Sequence, residues 1–137
     1  MNKQNKISEP TVSQSLSSAK PTCAGLFSGI GGFCEGFEKI GFETLWLNEF
    51  NPSSNLIYLE NRPKAEIFDF DVRGLSVEKN KLKPVDVLHA GFPCQSFSGA
   101  GARKGFEDDR GKLFFEIIRL LEEFDKNAPK VLVLENT

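Results

Sequence analysis

The sequence has 137 residues, 39% hydrophobic and 26% charged, which leaves room for one domain around one core and excludes a two-domain enzyme. No window approaches the roughly 18–20 consecutive apolar residues of a membrane-spanning helix, and residues 1–20 lack the apolar stretch of a signal peptide, so a soluble intracellular chain is expected. With 17 basic against 19 acidic residues the formal charge is −2, so a nucleic-acid partner would have to be met by local chemistry rather than by a global positive field.

Residues 1–20 are rich in Ser, Asn, Gln and Lys and cannot bury enough surface to offset their ordering entropy; a disordered tail is expected there. Residues 22–28 (TCAGLFS) read as a short strand, and Gly29-Ile30-Gly31-Gly32 as a turn opening a helix through Phe33, Phe37 and Ile40 that Gly41 closes. Residues 42–47 form a second strand. Asn51 reads as an N-cap with Pro52 at the first helical position, and that helix runs to about Asn61. A third strand covers 67–70 and a fourth 85–90. Residues 96–110 are glycine-rich and charged, longer than an ordinary connector, which marks a functional loop. The apolar spacing of residues 113–124 gives a third helix, and 131–134 a fifth strand. Alternation of this kind predicts an α/β fold, a mainly parallel sheet with helices on both faces.

In such a sheet, ligands bind at the carboxyl ends of the strands. Those ends carry Gly29, Gly31 and Gly32, then Glu49, Asp71, Cys94, and finally Glu135 with Asn136. The glycine turn lets backbone pass close to a ligand, but Cys34 stands where the third glycine of a dinucleotide fingerprint would be; a tight turn without a ligand is the simpler reading. Glu49 stands where a carboxylate can accept both hydroxyls of a ribose. Asp71 could equally cap the turn that follows it. Cys94 follows Gly-Phe-Pro at the ligand edge, where a rigid turn can present a thiolate nucleophile. Cys23 and Cys34 read as packing residues, and His89 as a core or lining residue. Three cysteines without a CxxC pair, and a single histidine, fit a reducing compartment and no structural zinc; no metal is expected.

Taken together, Phe27-Ser28-Gly29-Ile30-Gly31-Gly32-Phe33, Asn48-Glu49, the block from Gly91-Phe92-Pro93-Cys94-Gln95 through Ser98, Gly105-Phe106 with Asp109-Arg110-Gly111, and Glu135-Asn136 closely resemble the DNA cytosine-C5 methyltransferases in order and spacing. The resemblance implies an S-adenosylmethionine-dependent, Rossmann-like methyltransferase domain, incomplete at its C-terminal end, with S-adenosylhomocysteine as product. Phe27, Gly29, Gly31, Gly32, Glu49, Phe50, Asp71, Val72, Pro93 and Leu113 would form the cofactor site. Glu49 would hold the ribose, Phe50 would pack on the adenine, and Asp71 would receive its amino group. Cys94 would attack C6 of a flipped-out cytosine, and Glu135 would protonate the base at N3. Gln95, Ser98, Arg110 and Asn136 would lie on the substrate side.

The pattern also departs from the family. Gly25 stands where the family often has an acidic or other polar residue. Thr137 takes the place of a common Val, and no later arginine block, target-recognition domain or last cofactor motif is present. The implied protein is the N-terminal part, residues 21–137, of a bacterial, cytoplasmic catalytic domain acting on double-stranded DNA, either cut short of its C-terminal half or complemented by a separate C-terminal polypeptide, and inactive alone. A tRNA-methylating enzyme and a noncatalytic cofactor-binding fragment remain alternatives.

Overall fold

The computed structural model describes residues 19–92 and 112–135. Their elements are β1 (Thr22–Leu26), α1 (Gly32–Lys39), β2 (Glu43–Asn48), α2 (Pro52–Asn61), β3 (Ile67–Phe68), a 3-10 turn at Val72–Gly74, β4 (Val87–Gly91), α3 (Leu113–Phe124), a second 3-10 turn at Asp125–Asn127, and β5 (Val131–Glu135). All strand pairings are parallel, in the order β3-β2-β1-β4-β5. The expected tail lies almost wholly outside the described residues, and the expected loop at 96–110 entirely so.

Alternate residues of each strand feed opposite faces. Ala24, Leu26, Trp46, Leu88 and Ala90 join Ile117, Leu120 and Phe124 of α3 in the larger core. On the other face Leu47 packs with Cys34 of α1 and Tyr58 of α2. Helices therefore cover both faces, as the sequence implied. The larger core also takes Leu75, Leu82 and Val85 from the connection between β3 and β4. Trp46 stacks on Phe124, and its Nε1 donates to the Lys83 carbonyl at 2.8 Å, so the indole is buried without an unpaired donor.

Local chemistry fixes the helix ends. Asn51 Oδ1 accepts from the backbone N of Ser53 at 2.9 Å and of Ser54 at 3.2 Å, with Pro52 as first helical residue. At the end of α1, Gly41 takes φ +98°. Its N–H donates to Glu38 O and that of Phe42 to Phe37 O, while the Phe37 and Phe42 rings meet at 5.1 Å. This is the paired bonding and apolar contact of a Schellman ending, which a residue with a Cβ would strain. Arg62, just beyond α2, lies over the Tyr58 ring at 4.9 Å and donates to Glu38 and Glu35 of α1, locking the two helices together.

The amino edge is tied through Asp86. Its Oδ2 accepts from Thr22 N and Oγ1, both at 3.0 Å, and its Oδ1 from Lys130 Nζ at 2.7 Å. The Lys130 bond first, then those from Thr22, hold its carboxyl down at about 2. This anchor aligns β1, β4 and β5, so their carboxyl ends finish level: Leu26 pairs with Ala90, and Gly91 with Glu135.

Candidate active site

The level strand ends bring the polar residues of the first half together. Ser28 N donates to Asn48 O at 3.2 Å, which docks the glycine turn on the end of β2. Glu49 then bridges two backbones: Oε2 accepts from Gly29 N and Oε1 from Asn51 N, each at 2.7 Å. Its carboxylate thus sits between the glycine turn and the N-terminus of α2, accepting one backbone N–H from each. Gly29 has φ +54°, and nothing lies within 4 Å of where a Cβ would stand; the same is true of Gly32. Gly31, at φ +95°, has no such space, because a Cβ there would lie 2.4 Å from the Tyr58 ring. Phe50 leaves 69% of its surface exposed beside this opening. Phe27 also lies in left-handed backbone, at φ +53°.

Asp71 follows β3 and does cap its turn, as its simpler reading held. Oδ1 accepts from Arg73 N at 2.9 Å, and Oδ2 pairs with Arg73 Nη1 at 3.0 Å. Val72 turns its side chain into the core, and its carbonyl accepts from Leu75 N and from Arg119 Nη2. Leu113 opens α3 and packs partly on the larger core.

In the second half, Glu135 ends β5 opposite Gly91. A Cβ on Gly91 would lie 3.4 Å from Glu135 Oε2, 3.8 Å from Phe27 O and 3.9 Å from Phe33 Cε2. The Glu135 carboxylate therefore stands beside Gly91, two positions before Pro93 and three before Cys94. Pro93, Cys94, Gln95, Ser98, Arg110 and Asn136 lie outside the described residues.

Beneath this edge is an arrangement that the sequence reading missed. His89, fully buried, stacks on Phe33 at 5.1 Å and Phe37 at 5.7 Å, and its Nε2 lies 3.5 Å from Cys34 Sγ. Its Nδ1 and the nearby Ser28 Oγ are buried without a partner among the described residues. Burial pushes the imidazole down to about 4, so it is neutral at ordinary pH. A Cβ on Gly25 would stand 2.4 Å from His89 Cε1 and 2.5 Å from Ser28 Oγ. The His89 ring thus occupies the space that a side chain at position 25 would need. A glycine inside a buried strand was the available signal. Burial raises the Cys34 thiol to about 11 and also raises that of Cys23, so both stay protonated as packing residues. Among the described residues no group of three or more His, Cys, Asp and Glu side chains could hold a metal. None of their helices is long and apolar enough to cross a membrane.

A parallel sheet with β1 at its centre, helices on both faces, a glycine turn after β1 and a carboxylate after β2 defines the fold of S-adenosylmethionine-dependent methyltransferases. Residues 22–137 match the family described as C-5 cytosine-specific DNA methylase, and the chain belongs to that family. It is 47% identical over 115 residues to the type II methyltransferase M.Bsp6I of Bacillus sp. (strain RFL6), covering 82% of this chain and 35% of the relative. It is 43% identical over 111 residues to M.Eco47II of Escherichia coli, covering 81% and 26%. The crystal structure of S. pombe Dnmt2 methyltransferase superposes with a TM-score of 0.68 at 26% identity, over 86% of this chain and 36% of that one. The chain thus spans about a third or less of the length of these relatives.

Proposed function

We propose that residues 21–137 are the N-terminal part of a catalytic domain that methylates C5 of cytosine in double-stranded DNA, in a bacterial, cytoplasmic restriction–modification setting. The observation that carries this reading is the meeting of Glu135 with Gly91, which sets a carboxylate beside the strand end leading directly into Pro93-Cys94. The first half of the edge fits S-adenosylmethionine. Gly29 and Gly32 leave open space, Glu49 presents a fixed carboxylate for ribose hydroxyls, and Phe50 offers an exposed ring for adenine. Gly31 and Phe27 shape the turn; Asp71 receives the adenine amino group, with Val72 beside it in the chain, and Pro93 and Leu113 complete the wall. When bound, the cofactor supplies an electrophilic methyl group on its sulfonium and leaves as S-adenosylhomocysteine.

The chain's own residues make the cytosine reactive. Cys94, as thiolate, adds to C6 of a base flipped out of the stack, forming a C–S bond and placing an electron pair at C5. Glu135, as the acid, gives a proton to N3 and offsets the charge that addition develops. Loss of the C5 proton then restores the ring double bond and expels the Cys94 thiolate, and N3 returns its proton to Glu135. Gln95, Ser98, Arg110 and Asn136 hold the substrate and its loop.

The relatives are much longer than this chain, and the proposed activity draws on further polypeptide packed against these residues. Two features support this: β5 has no outer neighbour among the described residues, leaving Val131 and Leu134 exposed, and α1 bears an open apolar groove of about 420 Å³ lined by Gly32, Phe33, Gly36, Phe37 and Ile40. The test is covalent trapping on a duplex containing 5-fluorocytosine by the complemented enzyme. Wild type traps and Cys94→Ser does not; trapping that survives the substitution overturns the mechanism. Preferential methyl transfer to tRNA over DNA would favour the RNA alternative. S-adenosylhomocysteine binding without any transfer after complementation would favour a noncatalytic fragment.

A further inference from the structure

Asn48 precedes Glu49 in the Asn48-Glu49 pair of the sequence pattern. It ends β2 and is 1% exposed. Its Nδ2 donates to two carbonyls, Phe68 O at 2.8 Å and Phe70 O at 2.7 Å, and its own carbonyl accepts from Ser28 N. β3 is only two residues long, and the bond from Glu49 N to Phe68 O is its last to the β2 side. The Asn48 amide extends that ladder through Phe70, one position before Asp71. Asp71 fixes its own turn by capping Arg73, and Arg119 holds Val72 and Leu75 from α3. Asn48 is what ties this turn to the strand carrying Glu49 and to the glycine turn. A carboxylamide offers two N–H donors, whereas an aliphatic side chain would leave the Phe70 carbonyl without this partner.

We propose that Asn48 is a positioning residue for the adenine end of the cofactor site, setting Asp71 in register with Glu49 and Gly29. This rests on the placement of the adenine amino group at Asp71. The test uses the 137-residue chain and its Asn48→Ala and Asn48→Ser variants, the second keeping a hydroxyl donor in case the first fails to fold. NMR titrations with S-adenosylhomocysteine and S-inosylhomocysteine, which differ at that amino group, are paired with amide hydrogen exchange. Wild type should prefer the adenosine compound. The alanine variant should lose most of that preference, and the amides of Arg73, Gly74 and Leu75 should exchange roughly ten-fold faster while those of β1 and β4 keep their rates. The serine variant should fall between. Equal weakening toward both ligands with the preference intact, or exchange that rises evenly across the sheet, reduces Asn48 to general stability and overturns the proposal. If wild type binds neither ligand, the cofactor reading itself fails. The positioning role then falls with it, and faster exchange at 73–75 would leave only a structural brace.

Discussion

Lowering the pH should destabilise this fold through His89 before its carboxylates matter. The imidazole is fully buried against Phe33, Phe37 and Cys34, and burial lowers its proton affinity from the ordinary value near 6.5 to about 4. The unfolded chain takes up a proton as pH falls through 6.5, and the folded chain does not until about 4. The stability associated with a neutral His89 is therefore complete above pH 6.5 and is withdrawn between 6.5 and 4. At about 1.4 kcal/mol for each tenfold change in proton affinity, this amounts to roughly 3 kcal/mol, a large share of a small domain's typical stability. The Cys34 thiol, raised to about 11, does not titrate in this window. Urea titrations at half-unit steps from pH 7.5 to 4.5 should show the midpoint falling, while His89→Leu, of similar volume and without a titrating group, should show a nearly flat profile. An unchanged slope in the variant would refute the assignment to His89.

Gly25→Ala should lower stability by about 1–3 kcal/mol, read by thermal melting, because the new methyl meets the His89 ring and Ser28 Oγ; His89→Ser should relieve part of that cost in the double variant. Asn51→Ala should cost about 1 kcal/mol by removing both N-cap bonds of α2, measured by denaturant unfolding. Asp86→Asn should remove a contribution that is present above the ordinary carboxylate range and lost as pH falls toward about 2, so its acid-unfolding curve should be shallower than that of wild type below pH 4.

Much of the site can be read from the chain because each strand end is marked by a residue of distinctive chemistry. The Asn51-Pro52 start of α2 and the Gly41 ending of α1 form as their side chains dictate. The expected third strand, 67–70, forms only over Ile67–Phe68, since the Asn48 amide takes over the bond to Phe70. The connection from Val72 to Pro84 has neither helical nor strand periodicity, so nothing in its pattern announces that Leu75 and Leu82 are core. Nor does composition pair Gly25 with His89 or Gly31 with Tyr58. Those fits arise between residues far apart in the chain, and only packing brings them together.

The parallel order of the sheet also sets a sequence of assembly. Cys23 reaches Thr44 across 21 residues, whereas the Thr22–Asp86 anchor closes 64. Loop-closure entropy makes the longer closure costlier by about 1 kcal/mol, and non-local pairings are the slow ones. The half of the edge that joins Gly29 to Glu49 can therefore form early, from a short β1-α1-β2 unit. The half that sets Glu135 beside Gly91 waits on the docking of β4 and β5, so the longer closures fall on the side of the edge that carries Glu135.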